Sequence, residues 1–137
     1  MTHRFLPHTA DLIVEIEASS LADVFREATT VVRHLVAGAT SVGVAESHTV
    51  SLTAQAVDEL LLRFIRELLA QFQLATFVPG ELEIRQLDAM LLQGTVRGEP
   101  FDDAKHEAQP EVKAVTRHGL CVEETIAGWR AVFVLDL

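Results

Sequence analysis

One cysteine, Cys121, is all the chain has, which excludes an intramolecular disulfide and any thiolate zinc site assembled within one chain. Its expected role is that of a small apolar strand residue. Basic residues are also scarce. Eleven lysines and arginines against 20 acidic residues leave a net charge of −9, which disfavours a broad surface for nucleic-acid phosphate or an anionic membrane. That balance suits a basic protein partner or a cation held by carboxylates. Long apolar runs are missing, and the stretch from Met1 to Phe5 has no signal-peptide character, so no membrane span is expected and the cytoplasm is the expected location. Neither Gly-x-Ser-x-Gly nor Gly-x-x-x-x-Gly-Lys-Ser/Thr occurs, which removes the acyl-transfer elbow and the phosphate loop. No repeat, low-complexity tract or long linker interrupts residues 1–137, which read as a single domain. What is present is 49% hydrophobic residues in 137, enough for a real core.

Positions 12–18 alternate with period two, placing Leu12, Val14, Ile16 and Ala18 on one face and Asp11, Ile13, Glu15 and Glu17 on the other. Ser20 with Asp23 resembles a capping box, and Leu21, Val24, Phe25, Ala28, Val32 and Leu35 recur at helical spacing up to Gly38. A strand is expected over 48–54. The stripe Leu61, Phe64, Ile65, Leu68 and Phe72, widened by Leu60 and Leu69, predicts a second helix over 57–74, with Glu59, Arg63 and Glu67 on its solvated side. Pro79-Gly80 punctuates the chain. Strands are expected over 81–87, 90–97, 112–116, 121–126 and 129–135, with Ala127-Gly128 as a hairpin turn. Two one-sided helices and about six strands imply an α+β two-layer sandwich, a mixed sheet covered on one face by the helices.

An aspartate, Asp136, closes an otherwise apolar strand, one residue before Leu137. Together with the early His8-Thr9-Ala10-Asp11 it suggests an oxygen-rich metal site built from the two ends, since hard divalent cations want several oxygens. His118 and the acidic stretch 99–107 join the candidates. On residue types alone the simpler account carries more weight: Asp11 caps a strand and Asp136 solvates the chain end. His8, His106 and His118 lack the spacing of a zinc helix pair. Lys113 and His118 either present a cation and an imidazole beside the carboxylates or belong to an ordinary strand with a snorkelling lysine. Trp129 reads as core or sheet surface.

Taken together, His8-Thr9-Ala10-Asp11 before a strand, the helix start at Ser20-Leu21, Asp58-Glu59-Leu60-Leu61, the block Glu111-Val112-Lys113-Ala114-Val115-Thr116 with His118, and the close from Trp129 to Asp136-Leu137 resemble the archease family. The resemblance spans nearly the full chain. It implies a small α+β protein that is not itself an enzyme. Such a protein assists an RtcB-type, GTP-dependent RNA ligase of tRNA splicing and RNA repair, promoting guanylylation of the ligase and its repeated turnover. It further implies a divalent metal, calcium in the family with magnesium or manganese admissible, on Asp11, Asp136 and Leu137, and it raises the metal reading above the simpler one. His8, Lys113 and His118 would be ligase-activation contacts. Two departures stand out: Pro7 occupies a position where family members often have an acid, and Arg117 one where they often have tyrosine. The alternative function is a chaperone or specificity modulator of nucleic-acid-modifying enzymes such as methyltransferases; a small metal-dependent hydrolase ranks last, for want of convergent groups.

Overall fold

The alternation over 12–18 does build a strand, and its buried side carries Val14, Ile16 and Ala18. The computed structural model describes residues 1–8 and 11–137, with side chains as far as Phe5 in the first segment. Among the described residues the order is β1 (Thr2–His8), β2 (Asp11–Ala18), α1 (Leu21–Ala37), β3 (Glu46–Thr53), α2 (Val57–Ala75), β4 (Phe77–Leu87), β5 (Leu91–Pro100), β6 (Ala114–Thr125) and β7 (Gly128–Asp136). The class is α+β. Its strands form two sheets, ordered β1-β2-β7-β6 and β3-β5-β4, and the described ladders are antiparallel.

The division into two sheets has a geometric reason. Seven strands at roughly 4.8 Å spacing would span about 30 Å, wider than the roughly 20 Å covered by two adjacent helices. Each sheet instead packs on the helix pair: α1 lies against β4, β2 and β7, and α2 lies against β6, β3, β4 and β5. Phe25 and Phe64 join the helices, their ring centroids 5.5 Å apart, and both are fully buried.

Local chemistry sets the helix ends. Ser20 is extended, at φ −142° and ψ 160°, and its Oγ accepts the Asp23 N–H at 3.1 Å, satisfying one donor of the first turn of α1. Gly38, at φ 78°, stops that helix in a conformation that favours glycine. Helix α2 begins at Ala56 with no side-chain cap, and Asp58 and Glu59 supply negative charge to its first turn instead.

Several boundaries differ from those the pattern implies. Strand β1 is additional: its segment lacks clean alternation, and Pro7 sits in it because an edge strand tolerates a missing N–H. Pro79 and Gly80 lie inside β4, an edge strand, where Gly80 is an extra residue between the pairs Pro79↔Gly98 and Glu81↔Arg97. The last hairpin closes at Thr125↔Gly128, so its loop is Ile126 and Ala127, not Ala127-Gly128. Segments 112–116 and 121–126 are largely one strand, β6, broken by an irregularity between Thr116 and Cys121. Among the described residues no helix is long and apolar enough to cross a membrane.

The core depends far more on the helix stripe than on the caps. Phe64→Ala should cost about 3–5 kcal/mol, and Ser20→Ala about 1 kcal/mol. Urea unfolding of both variants checks this ranking, and equal losses would contradict it.

Candidate functional site

The four-stranded sheet ends in a row that runs across all four strands. His8 is in register with Asp11, Asp11 with Asp136, and Asp136 with Ala114. Directly opposed residues of an antiparallel pair point to the same face, so Asp11 and Asp136 stand side by side. That face is the outer one, because the alternate positions Val14, Ile16, Ala131, Phe133 and Leu135 are buried in the core. Asp11 is half-buried and Asp136 is exposed. The backbone of His8 reaches the same row, while its side chain, like Thr9 and Ala10, lies outside the described residues.

The other predicted residues are placed around this pair in different ways. Lys113 touches Asp136 through the main chain, its N–H donating to the Asp136 carbonyl at 2.8 Å. It also lines a cavity beside α2, shared with Arg66, Leu69 and Gln73. His118 is exposed on the irregular part of β6, where its N–H donates to Thr116 Oγ1 at 3.2 Å. Leu137, next to Asp136, is 41% exposed. Cys121, half-buried, is opposite Val132 on the same sheet.

The acidic stretch 99–107 is occupied elsewhere. Glu99 accepts from Lys105 Nζ at 2.6 Å and from the Gly43 N–H at 2.8 Å, contacts that hold its carboxyl below the usual carboxylate range. His106 is buried, and its Nδ1 accepts the Asp102 N–H at 2.8 Å, which leaves Nε2 as the donor toward Glu99 at 3.3 Å. These groups staple their own loop.

Two steps along the outer face from Asp11, the charges are paired. Glu15, only 5% exposed, lies between two arginines: Arg4 donates to Oε1 from Nε at 2.9 Å and Nη2 at 2.6 Å, and Arg130 Nη2 donates to Oε2 at 2.8 Å. The Arg130 hydrogen bond, then that of Arg4, holds the Glu15 carboxyl below its ordinary range against the opposing effect of burial. Sequence pattern alone put Glu15 on the polar face. Its arginines come from flanking strands, one of which the pattern did not reveal.

A family model described as the archease protein family (MTH1598/TM1083) matches residues 3–137. The chain belongs to the archease family. It is 30% identical over 139 residues to the protein archease of Archaeoglobus fulgidus, covering 100% of both chains. With the protein archease of Saccharolobus solfataricus it shares 33% over 134 residues, 97% of this chain and 96% of the relative. The solution structure of Methanobacterium thermoautotrophicum protein 1598 superposes with a TM-score of 0.81 at 28% identity, covering 98% of each chain. A Thermotoga maritima archease, described as a possible chaperone, superposes with a TM-score of 0.69 at 20% identity, covering 96% of this chain and 94% of that one, a likeness of fold.

Against this archease framework, the donor set at the sheet end can be tested for a metal. Like charges directly opposite each other across a ladder repel, at roughly 0.2–1 kcal/mol, and a cation between Asp11 and Asp136 would relieve that repulsion. Carboxylate oxygens suit a hard divalent ion. Among the described residues no three His, Cys, Asp or Glu side chains gather closely enough to hold a metal alone. The two aspartates would supply only part of such a site, and its remaining oxygens would have to come from main chain, water or a second molecule.

The pairing of Glu15 makes a pH prediction with a definite sign. A carboxyl depressed by folding contributes stability above the ordinary glutamate value of 4.5, and that contribution is lost as pH falls below it toward the folded value. Glu15→Gln should therefore be less stable than the parent at pH 7, with the gap narrowing below about pH 4. Thermal melts from pH 7 to pH 3 would show this; a gap independent of pH would not fit.

Proposed function

We propose that this chain is a non-catalytic protein cofactor of an RtcB-type, GTP-dependent RNA ligase, raising the rate at which the ligase acquires its covalent guanylate and turns over. Family membership supports the general assignment. The observation that supports the specific one is the cross-strand register Asp11↔Asp136, which sets two carboxylates together on an exposed sheet end. Asp136 at this end is exposed and so accessible to another protein, and the net charge of −9 favours approach to a basic surface.

Asp11 and Asp136, with an oxygen of Leu137, would hold a divalent cation, calcium by family resemblance. When bound, the cation would supply positive charge that favours negative phosphate oxygens. The chain's own residues fix the donors. The Lys113 N–H engages the Asp136 carbonyl and so restrains the strand end that bears the carboxylate, and His118 stands exposed on the neighbouring strand. His8, brought by β1 into register with Asp11, is the third proposed contact.

Two measurements test this reading. In chelator, Asp136→Asn should be at least as stable as the parent, because one of two opposed charges is gone. Millimolar calcium should then raise the parent's melting temperature and leave the variant's unchanged. Mixed with its cognate ligase, GTP and Mn²⁺, the parent should accelerate formation of the covalent ligase–nucleotide adduct, and Asp11→Ala and Asp136→Ala should both lose at least tenfold of that acceleration, on the order of the loss expected when a charged group at a site is removed. Full acceleration by both variants, with calcium stabilisation absent, would falsify the assignment. Recovery of a methyltransferase in place of a ligase in pull-downs would favour the modulator role.

A further inference from the structure

The irregularity in β6 is large. Thr116 pairs with Val134 and Cys121 with Val132, so four residues, 117–120, stand opposite Phe133 alone. Such extra residues lose their ladder hydrogen bonds, and their position must be set by something else. Gly119 adopts φ 72°, and a Cβ there would come 3.3 Å from Val134 Cγ2, so the detour runs close over β7. The Thr116 hydroxyl holds the His118 N–H. Beyond that, the strongest contact comes from Arg117. Its Nε donates to Glu59 Oε2 at 3.2 Å and its Nη2 to Glu59 Oε1 at 2.7 Å, a two-point pair across 58 positions of sequence.

Both ends of that pair suit it. Glu59 lies in the first turn of α2, where the helix dipole favours an acid, and its carboxyl lies below the usual range chiefly through the Arg117 hydrogen bond. Arg63 approaches the same carboxylate no closer than 3.7 Å, and its guanidinium donates to the Thr53 carbonyl instead. Exposed ion pairs are ordinarily worth little, but a planar fork on a carboxylate is the geometry that retains value.

We propose that Arg117 is a positioning residue: its fork on Glu59 pins the 117–120 detour to the start of α2 and thereby fixes where His118 is presented on β6, opposite Phe133 and three residues along β7 from Asp136. The functional half of this inference rests on the reading of His118 as a ligase contact. The geometric half does not. Leu120 packs against the core and Thr116 holds the His118 N–H, so breaking the fork changes where His118 stands without unfolding the sheet.

The test uses the full chain with Arg117→Gln, Glu59→Gln and the double variant. Each single substitution should shift the His118 ring resonances and speed amide exchange over 118–120 by about fivefold, the equivalent of an exposed but well-formed pair. The double variant should do no more than either single one, and melting temperatures should fall by no more than about 5 °C, as expected for a fivefold effect in a domain of this size. Ligase–nucleotide adduct formation should slow by a similar factor in all three and recover partly with Arg117→Lys. Unchanged ring shifts and exchange, or additive effects in the double variant, overturn the pin. If the shifts move as expected while His118→Ala still activates the ligase fully, the pin stands and the role assigned to His118 falls.

Discussion

The pairing of β2 with β7 is the constraint on which the candidate site depends, because it joins residues 125 positions apart and decides which of them are neighbours. Its register follows from burial. Val14 faces Phe133 and Ile16 faces Ala131, all fully buried, and a slip of one residue would turn Ile13, Glu15 and Glu17 toward the core. Burying charged carboxylates without partners costs several kcal/mol each, so the slipped register is strongly disfavoured. With the core face fixed, Asp11 and Asp136 have no choice: both lie on the outer face, and both lie at the same end. The hydrophobic interior thus sets the address of two polar residues that never touch it.

The same face handles negative charge in two opposite ways. At Glu15 the carboxylate receives two guanidinium groups from adjacent strands and is almost wholly covered. At the end of the sheet the two aspartates are set against each other instead, with Lys113 contributing a main-chain N–H to the Asp136 carbonyl. Like charges set directly opposite each other across a ladder repel, so this register is the less favourable of the two arrangements. One strand thus carries a carboxylate enclosed by arginines at its middle and a carboxylate opposed to another at its end.

Much of this was legible in the chain because it rests on short-range periodicity. The Ser20 cap, the stop at Gly38 and the apolar stripe around Phe64 each act within a few residues, and each stands where the spacing predicts. The pair Asp11 and Asp136 was suggested by residue type and resemblance, while their register became visible only with the ladder. What escaped was long-range or irregular. Strand β1 has a proline and no clean alternation, so only its partner β2 identifies it as a strand. Arg117 looked like a departure from family pattern, and nothing in its neighbourhood named Glu59, since a contact across 58 positions leaves no local trace. The division into two sheets is likewise a property of how strands share two helices.

These long-range contacts carry a further consequence for how the site is assembled. Asp11 comes from β2, Asp136 from β7, the Lys113 amide from the approach to β6, and the anchor of the His118 detour from α2. Helix α2 packs on β6 and also on α1, which in turn packs on β2 and β7. A displacement of α2 would therefore reach both the detour and the strands that carry the aspartates. The surface end of the sheet is exposed, but its geometry is referred back through the arginine fork and the helix pair to the interior around Phe25 and Phe64. Groups held this way need no further ordering before they meet a ligand or a second molecule, because their conformational entropy has already been given up in folding.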